Sequence, residues 1–313
     1  MKAPFPWFGG KSRAASMIWE RFGNVPNYVE PFFGSGAVLL LRPHEPKVET
    51  VNDADQFLSN FWRAIKHDPE AVADHADWPV NETDLHARHY WLTTQGRARL
   101  GAIMGDPDAY DAKIAGWWVW GLCCWIGHGW CHEPGGPWQW DGKQWVKRDD
   151  SGQGVNRKLP HLGDAGRGVN RKESTREMFM GLHNRFRGVR VACGDWSRVV
   201  GDSVTHVHGL TGIFLDPPYA GTADRAEVYS TESMTVAHDV RAWAIENGSN
   251  NLIRICLAGY EGEHDMPPDW EAVRWKAVGG YGSQGEGRGR KNASRECLWF
   301  SPHCLQADQA SLF

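Results

Sequence analysis

The residues best suited to chemistry form the stretch Leu215–Tyr219, which reads Leu-Asp-Pro-Pro-Tyr. It follows the short apolar run Thr211–Leu215, so Asp216 is predicted to stand at the C-terminal end of a buried strand. Open α/β sheets bind their ligands at that end of their strands. The two prolines fix their own φ angles and favour extended geometry in the preceding residue, so the turn would hold an acid and an aromatic ring in a fixed relation.

The chemistry that suits this turn is methyl transfer to an amine attached to a planar base. Such a nitrogen is a poor nucleophile, because its lone pair is delocalised into the ring. The Asp216 carboxylate and the Pro217 carbonyl would each accept one amino hydrogen and leave the lone pair directed at a methyl donor. Pro218 completes the turn and Tyr219 would stack on the base. The alternative is an ordinary surface turn, since Pro and Asp are common turn residues.

The composition indicates a globular protein with a sizeable core. The chain has 313 residues, of which 41% are hydrophobic and 23% charged. No apolar run is long enough to span a membrane, and no signal core follows Met1, so we expect a cytoplasmic location. The seven cysteines are scattered and odd in number, which is typical of a reducing compartment.

Positive charge is concentrated in one segment. The whole chain has a net charge of −4, whereas residues 143–190 contain twelve Lys or Arg and five Asp or Glu, a local net charge of +7. A basic segment on an acidic body is expected of a site that contacts phosphates. A solvated loop is the alternative interpretation of the same charges.

The first half of the chain contains a glycine turn of the kind that follows the first strand of a Rossmann-like sheet. Residues 27–41 read as a strand, a glycine turn and a helix start. Gly34 and Gly36 lack the third glycine of the dinucleotide fingerprint, and Glu30 would repel a pyrophosphate. Acidic residues at this position fit a cofactor with a cationic amino group and ribose hydroxyls. Gly10 and Lys11 precede the turn in a segment where backbone would approach a ligand closely.

A second strand, Val48–Val51, ends before the acidic stretch Asn52–Asp55. An acid about twenty residues after the glycine turn usually accepts the ribose hydroxyls in such folds. Asp53 and Asp55 are the two candidates. Either of them would also serve as the N-cap of the helix that follows.

Four motifs in this order resemble one family. Residues 7–11 (Trp-Phe-Gly-Gly-Lys), 28–36, 51–53 (Val-Asn-Asp) and 215–219 together look like the Dam-like DNA adenine-N6 methyltransferases of the D12 class, with the alpha-type motif order. The resemblance covers residues 1 to about 65 and 190 to about 300. It implies an α/β fold with a Rossmann-like sheet, S-adenosyl-L-methionine as cofactor, and methylation of adenine at N6 in duplex DNA by base flipping.

The resemblance also implies roles for individual residues. Asp216 would touch both the cofactor side and the target amine, with Pro217, Pro218 and Tyr219 completing the catalytic turn. Asp53 would hold the ribose, and Asp195 would lie near the cofactor adenine. The remaining cofactor-binding candidates are Trp7, Gly10, Lys11, Glu30, Phe32, Gly34 and Gly36.

The spacing of the motifs predicts an inserted domain. Gly36 and Asp216 are 180 residues apart, whereas three βα units need roughly 75 to 100 residues. We therefore expect a catalytic domain at residues 1–65 and 190–303, and an inserted, mostly helical and loop-rich target-recognition domain at residues 66–189. Residues 304–313 form a C-terminal tail. A monomer is expected.

Candidate DNA contacts lie mainly in a short repeated sequence within the insertion. Residues 154–158 (Gly-Val-Asn-Arg-Lys) recur as residues 168–172. Asn and Arg read adenine and guanine edges in the major groove, although contact with phosphate alone is an equally good interpretation. The candidates are Asn156, Arg157, Lys158, Asn170, Arg171, Lys172, Arg225, Arg288, Arg290 and Lys291.

Two further features concern metals and partners. Cys123, Cys124, Cys131 and the nearby histidines lack paired Cys-x-x-Cys spacing, so no metal site is expected. Residues Gln309–Phe313 resemble the Gln-x-x-Leu-Phe peptide by which bacterial replication proteins dock on the sliding clamp. The alternative is a tail that folds against its own domain.

Alternative functions remain open from the sequence. The cytosine N4 amine presents a similar donor to the same turn. A catalytically idle DNA-binding protein would keep the fold, and methylation of RNA would use the same chemistry.

Overall fold

The protein is an α/β structure, described by a computed structural model for residues 1–7, 10–106, 108–125, 130–131, 138–140, 143–147, 174–219, 231–275 and 296–306. The strands are β1 (Asn27–Glu30), β2 (Val48–Asp53), β3 (Trp138–Trp140), β4 (Trp145–Lys147), β5 (Val189–Cys193), β6 (Thr211–Leu215), β7 (Ile253–Tyr260), β8 (Glu271–Arg274) and β9 (Glu296–Phe300). The helices are α1 (Ala15–Phe22), α2 (Ala37–Leu40), α3 (Gln56–His67), α4 (Pro69–Ala76), α5 (Glu82–Trp91), α6 (Arg97–Ile103), α7 (Ala112–Cys124), α8 (Thr175–Phe186) and α9 (Thr231–Asn247). A π-helical turn, Leu92–Gly96, joins α5 to α6, and short 3₁₀ turns occupy Trp196–Val199 and His206–His208.

The chain divides into two compact units. The first contains residues 1–2, 9–54 and 188–313, and the second contains residues 3–8 and 55–187. Helix α3 packs on α7 and α8 and clusters with the second unit, whereas the sequence-based division placed residues up to 65 with the sheet. The roles assigned to the two units remain predictions.

The first unit is built on a seven-stranded sheet in the order β5-β2-β1-β6-β7-β9-β8. Strands β5, β2, β1, β6 and β7 pair in parallel, and β9 is antiparallel to both of its neighbours. Residues of β1 and β6 are buried throughout, as expected for central strands covered on both faces. The predicted Rossmann-like α/β fold is confirmed.

The core of this unit lies on one face of the central strands. Val29, Ile213, Leu215, Ile255 and Leu257 come from three adjacent parallel strands and are at most marginally exposed. Residues of α9 cover them, together with aromatic side chains from β9 and from the loop before β8. Because the apolar residues of β6 are part of this core, the residue that follows Leu215 has a fixed position.

The second unit has an aromatic core formed by helices. Trp62 of α3 stacks on Phe186 of α8, with ring centroids 4.5 Å apart and an interplanar angle of 9°. Asp68, Asn81 and Asp111 cap α4, α5 and α7 through their side chains. Four tryptophans of this unit are buried: Trp118, Trp120, Trp125 and Trp130. Where the structure describes the chain, no helix is long and apolar enough to cross a membrane.

His264 makes the stability of the first unit sensitive to acid. Its ring packs edge-on against Trp299 of β9, with centroids 5.1 Å apart. Burial, together with the charges of Arg241 and His238, lowers the pKa of His264 from 6.5 to about 4. The unfolded chain therefore takes up a proton between these two pH values that the folded chain does not.

We expect the contribution of His264 to the free energy of unfolding to be fully present above about pH 6.5 and to be lost as the pH is lowered toward 4. This contribution is about 3 kcal/mol at most. The measurement is urea unfolding of the wild type and of His264→Gln at pH 7 and pH 4.5. The variant should lose less stability on acidification than the wild type. Equal losses in the two proteins would show that His264 is not responsible.

Candidate active site

The candidate site lies where the strand order reverses. Strand β1 has β2 on one side and β6 on the other, and all three run in the same direction. Ligands of open α/β sheets bind outside the carboxyl ends of the strands at such a switch point. Glu30 ends β1, Asp53 ends β2, and Asp216 directly follows β6. The sheet thus brings three predicted acidic residues to one edge.

The glycine turn after β1 has a backbone conformation that requires glycine. Gly34 has φ 48° and Gly36 has φ 68°, both in the left-handed region. A Cβ atom at Gly36 would stand 2.5 Å from Cζ of Phe33. The backbone N–H of Gly34 donates to Oδ2 of Asp53 at 3.0 Å. The turn therefore has no room for a side chain at Gly36.

Asn52 holds the loops around this turn together, and the sequence analysis did not single it out. Its Nδ2 donates to the carbonyl of Pro31 at 3.0 Å and to the carbonyl of Gly194 at 2.9 Å. Gly194 in turn donates its N–H to the carbonyl of Asp53 at 3.1 Å. Because Asn52 is buried, it joins the ends of β1, β2 and β5 into one rigid edge.

The two candidate ribose acceptors have different surroundings. Asp53 belongs to the first unit and carries the hydrogen bond from the glycine turn. Asp55 belongs to the second unit, where its side chain accepts from the N–H groups of Phe57 and Leu58 and caps α3. The N-cap interpretation thus applies to Asp55, and Asp53 remains the candidate for the ribose.

Glu30 is a buried acid that favours its protonated form. It is 2% exposed, and the hydroxyl of Tyr28 donates to its Oε2 at 2.8 Å. Burial raises the pKa of Glu30 well above its usual range, the Tyr28 hydrogen bond opposes this rise, and the negative charge of Asp216 adds to it. A cation placed beside Glu30 would reverse this balance and favour the carboxylate.

The catalytic turn is tied to Lys11. Nζ of Lys11 lies 3.0 Å from Oδ1 of Asp216 and donates to the hydroxyl of Tyr219 at 2.7 Å. Burial lowers the pKa of Lys11, but the carboxylates of Asp216 and Glu296 more than compensate, so its pKa is raised. Lys11 is therefore a charged ammonium inside the protein. The structure places Lys11 against the turn that contains Asp216 and Tyr219, and its assignment to the cofactor stays a prediction.

Glu296 completes this cluster and is a site residue that the sequence analysis missed. The hydroxyl of Tyr219 donates to its Oε2 at 2.9 Å, and Nζ of Lys11 lies 3.7 Å from the same oxygen. The ring of Tyr219 packs edge-on against Tyr260, with centroids 4.6 Å apart. The sequence signal was an acidic residue at the start of a buried strand, directly before Cys297.

Three other cofactor candidates are placed as follows. Phe32 stacks on Trp196, with centroids 6.3 Å apart. Asp195 accepts from the N–H of Ser197 at 2.9 Å and from its hydroxyl, and these hydrogen bonds lower the pKa of Asp195. Trp7 clusters with the second unit, where its ring contacts Phe5.

Several predicted residues fall outside the described part of the chain. Among the described residues no group of His, Cys, Asp and Glu is arranged to hold a metal ion. The sliding-clamp peptide Gln309–Phe313 also lies outside the described residues. So do all the DNA-contact candidates: Asn156, Arg157, Lys158, Asn170, Arg171, Lys172, Arg225, Arg288, Arg290 and Lys291.

Comparison with known proteins connects this site to a family. Residues 7–104 match the model of the D12 class N6 adenine-specific DNA methyltransferases. The matched segment contains the glycine turn and Asp53 but not the turn at Asp216.

One curated relative shows the same similarity. The chain is 34% identical over 76 residues to the Type II methyltransferase M.MjaIII of Methanocaldococcus jannaschii. The aligned segment is 22% of this chain and 26% of the relative. The chain thus spans about a quarter of the length of the curated relative that it matches. The resemblance predicted from the motifs is confirmed: over residues 7–104 the chain carries the sequence pattern of the D12 class N6 adenine-specific DNA methyltransferases.

Proposed function

We propose that this protein transfers a methyl group from S-adenosyl-L-methionine to the N6 amine of adenine in double-stranded DNA, acting in the cytoplasm. The observation that carries this proposal is the position of Asp216 at the switch point of the sheet, beside Glu30 and the glycine turn. The family match supports the reaction class, and it covers the glycine turn and Asp53, the proposed cofactor-binding part of this edge.

The charges of this edge fit the proposed cofactor. S-adenosyl-L-methionine carries a sulfonium and an amino cation, and when bound it supplies the methyl group. Glu30 is a buried acid whose carboxylate form a cation would favour. Asp53 stands beside the glycine turn, at the position expected to bind the ribose hydroxyls. Phe32 follows the end of β1, and Asp195 and Trp196 follow the end of β5. The adenine of the cofactor would bind beside these residues, near the stack of Phe32 on Trp196.

The catalytic turn would orient the target amine. Asp216 accepts one amino hydrogen and the Pro217 carbonyl accepts the other, so the nitrogen lone pair faces the methyl group. The Asp216 carboxylate would take up the proton that the methylated amine releases, because a backbone carbonyl is too weakly basic to do so. Tyr219 presents its ring to the flipped base, while its hydroxyl is fixed by Lys11 and Glu296.

The second unit and the basic segment would recognise the DNA. An enzyme that acts on one base within a duplex needs a surface that grips the backbone and reads the sequence. The basic residues between 143 and 190 supply the charge for such a surface. We propose that the protein acts as a monomer.

Replacing Asp216 tests the proposed function directly. Asp216→Ala removes an acceptor that the reacting amine needs, so we expect methylation to be abolished while cofactor binding weakens only partly. The measurement is long-read sequencing of DNA from a methylation-free host that expresses the wild type or the variant. Asp202→Asn, which changes an exposed acid, is the matched control and should methylate normally.

The modified base also identifies the substrate. Methyl-adenine at one short sequence motif, absent with Asp216→Ala, would support the proposal. Methyl-cytosine at such a motif would show that the target base is cytosine. Full activity of Asp216→Ala would rule out the role assigned to the turn.

Replacing Asp53 tests the cofactor site. Asp53→Ala removes both the proposed ribose acceptor and the bond to Gly34. We expect the affinity for S-adenosyl-L-methionine to fall about 10- to 100-fold in calorimetry, the effect of losing a hydrogen bond to a charged group. Asp53→Asn keeps an acceptor for Gly34 and should lose less.

The neighbouring acid is the control for this experiment. Asp55→Ala removes the N-cap of α3, so it should lower the stability by about 1 kcal/mol and leave the cofactor affinity unchanged. Equal losses of affinity in the Asp53 and Asp55 variants would contradict a specific role for Asp53.

We also propose that Gln309–Phe313 docks on the bacterial sliding clamp, a proposal that rests on the peptide sequence alone. Replacing Leu312 and Phe313 with alanine removes the two apolar side chains that a clamp pocket would bury. Binding of the purified clamp, measured by calorimetry, should be lost in this double variant and retained in Ser311→Ala. Equal binding by both variants would disprove the docking peptide.

A further inference from the structure

We propose that Glu296 is a positioning residue of the methyl-transfer site: through Tyr219 and Lys11 it determines which oxygen of Asp216 faces the target amine. This inference rests on the proposed function and adds a residue that neither the motifs nor the family match includes, since residue 296 lies outside the matched segment.

The backbone of Glu296 is held from both sides. Glu296 opens β9 and pairs with Tyr260 of β7 in the antiparallel register. Its carbonyl accepts from the N–H of Trp275 at 3.1 Å. The side chain is 5% exposed. Its carboxylate is therefore a fixed acceptor inside the sheet.

The hydrogen bonds of Tyr219 fix which groups donate and which accept in the cluster of Lys11, Asp216, Tyr219 and Glu296. A tyrosine hydroxyl has one proton to donate. Tyr219 donates this proton to Glu296 at 2.9 Å, so it must accept from Nζ of Lys11 at 2.7 Å. Lys11 then directs another proton to Oδ1 of Asp216 at 3.0 Å. Without the acceptor at Glu296, the Tyr219 proton would be able to turn toward other partners and compete with Lys11.

This arrangement distinguishes the two oxygens of Asp216. Oδ1 is bound by the ammonium of Lys11, so Oδ2 is the oxygen presented to the amine. The cluster contains two carboxylates and one ammonium, and both carboxylates stabilise the charged form of Lys11. Burial raises the pKa of Tyr219 well above its usual range, and Asp216 and Glu296 raise it further. Glu296 thus keeps the Lys11 and Tyr219 protons in place.

A merely structural acid would pair with Lys11 without influencing the reaction. A positioning residue would alter the rate and its dependence on pH. Because an anionic neighbour raises the pKa of Lys11 and Tyr219, neutralising Glu296 would lower both. The high-pH limb of kcat would then move to lower pH.

The first experiment compares Glu296→Gln with Glu271→Gln. Glu271 lies on β8 of the same sheet, and the control variant breaks its ion pair with Arg21 of α1, at 2.8 Å. Methyl transfer from S-adenosyl-L-methionine to duplex DNA is measured from pH 6 to pH 10. We expect kcat of Glu296→Gln to fall about 10- to 100-fold, as misplacement of a reacting group would cause. The KM for the cofactor should stay unchanged. The kcat of Glu296→Gln should decline toward pH 10, whereas the kcat of the wild type should stay level, because the pKa values of Lys11 and Tyr219 are raised from their usual 10.5 and 10.0.

A double-variant cycle tests the path through Tyr219. Tyr219→Phe keeps the ring but removes the hydroxyl. If Glu296 acts through this hydroxyl, Tyr219→Phe with Glu296→Gln should be about as slow as the slower single variant. Independent, multiplying effects of the two changes would overturn the proposed path.

A readout that does not need catalysis separates this inference from the proposed function. Hydrogen exchange at the amides of Asp216 and Tyr219 should be faster in Glu296→Gln than in Glu271→Gln. If the wild type transfers no methyl group, the proposed function fails, and the exchange measurement alone decides the positioning role. Unchanged exchange, rate and pH profile in Glu296→Gln would overturn the inference even if the wild type is active.

Discussion

Burying carboxylates costs free energy unless a proton or a cation compensates them, and the candidate site depends on how this cost is met. Glu30, Asp216 and Glu296 all lie in the first unit, at or near the carboxyl ends of parallel strands. Lys11 compensates Asp216 and Glu296, whereas Glu30 favours its protonated form. The position of Lys11, just before α1, is thus a requirement of the catalytic turn.

The parallel sheet brings these acids together although they are far apart in the sequence. Parallel strands place the residues that follow them at one edge, so acids far apart in the chain meet without a dedicated scaffold. Asn52 adds a rigid connection, since it bonds to the loops after β1 and β5. The glycine turn depends on it indirectly, because Asp53, the next residue, anchors Gly34.

The sequence predicted the features that local patterns encode. A continuous apolar run identified β6, and two glycines identified a turn whose φ values only glycine adopts readily. The bond between Lys11 and Tyr219 spans 208 residues and the bond between Tyr219 and Glu296 spans 77, and no local period encodes either of them. Glu296 was missed for this reason, and α3 was placed with the sheet because its packing partners are also distant in sequence.

The buried carboxylates of the site are compensated in two different ways, which suits its two sides to different ligands. An external cation beside Glu30 would favour its carboxylate over its protonated form, because a proton and a cation compensate the same buried charge. The ammonium of Lys11 is covalently part of the chain and stays with Asp216 and Glu296. The Glu30 side is therefore suited to a ligand that brings positive charge, such as a sulfonium. The Asp216 side, already compensated, is suited to a neutral amine that needs acceptors and not a counter-ion.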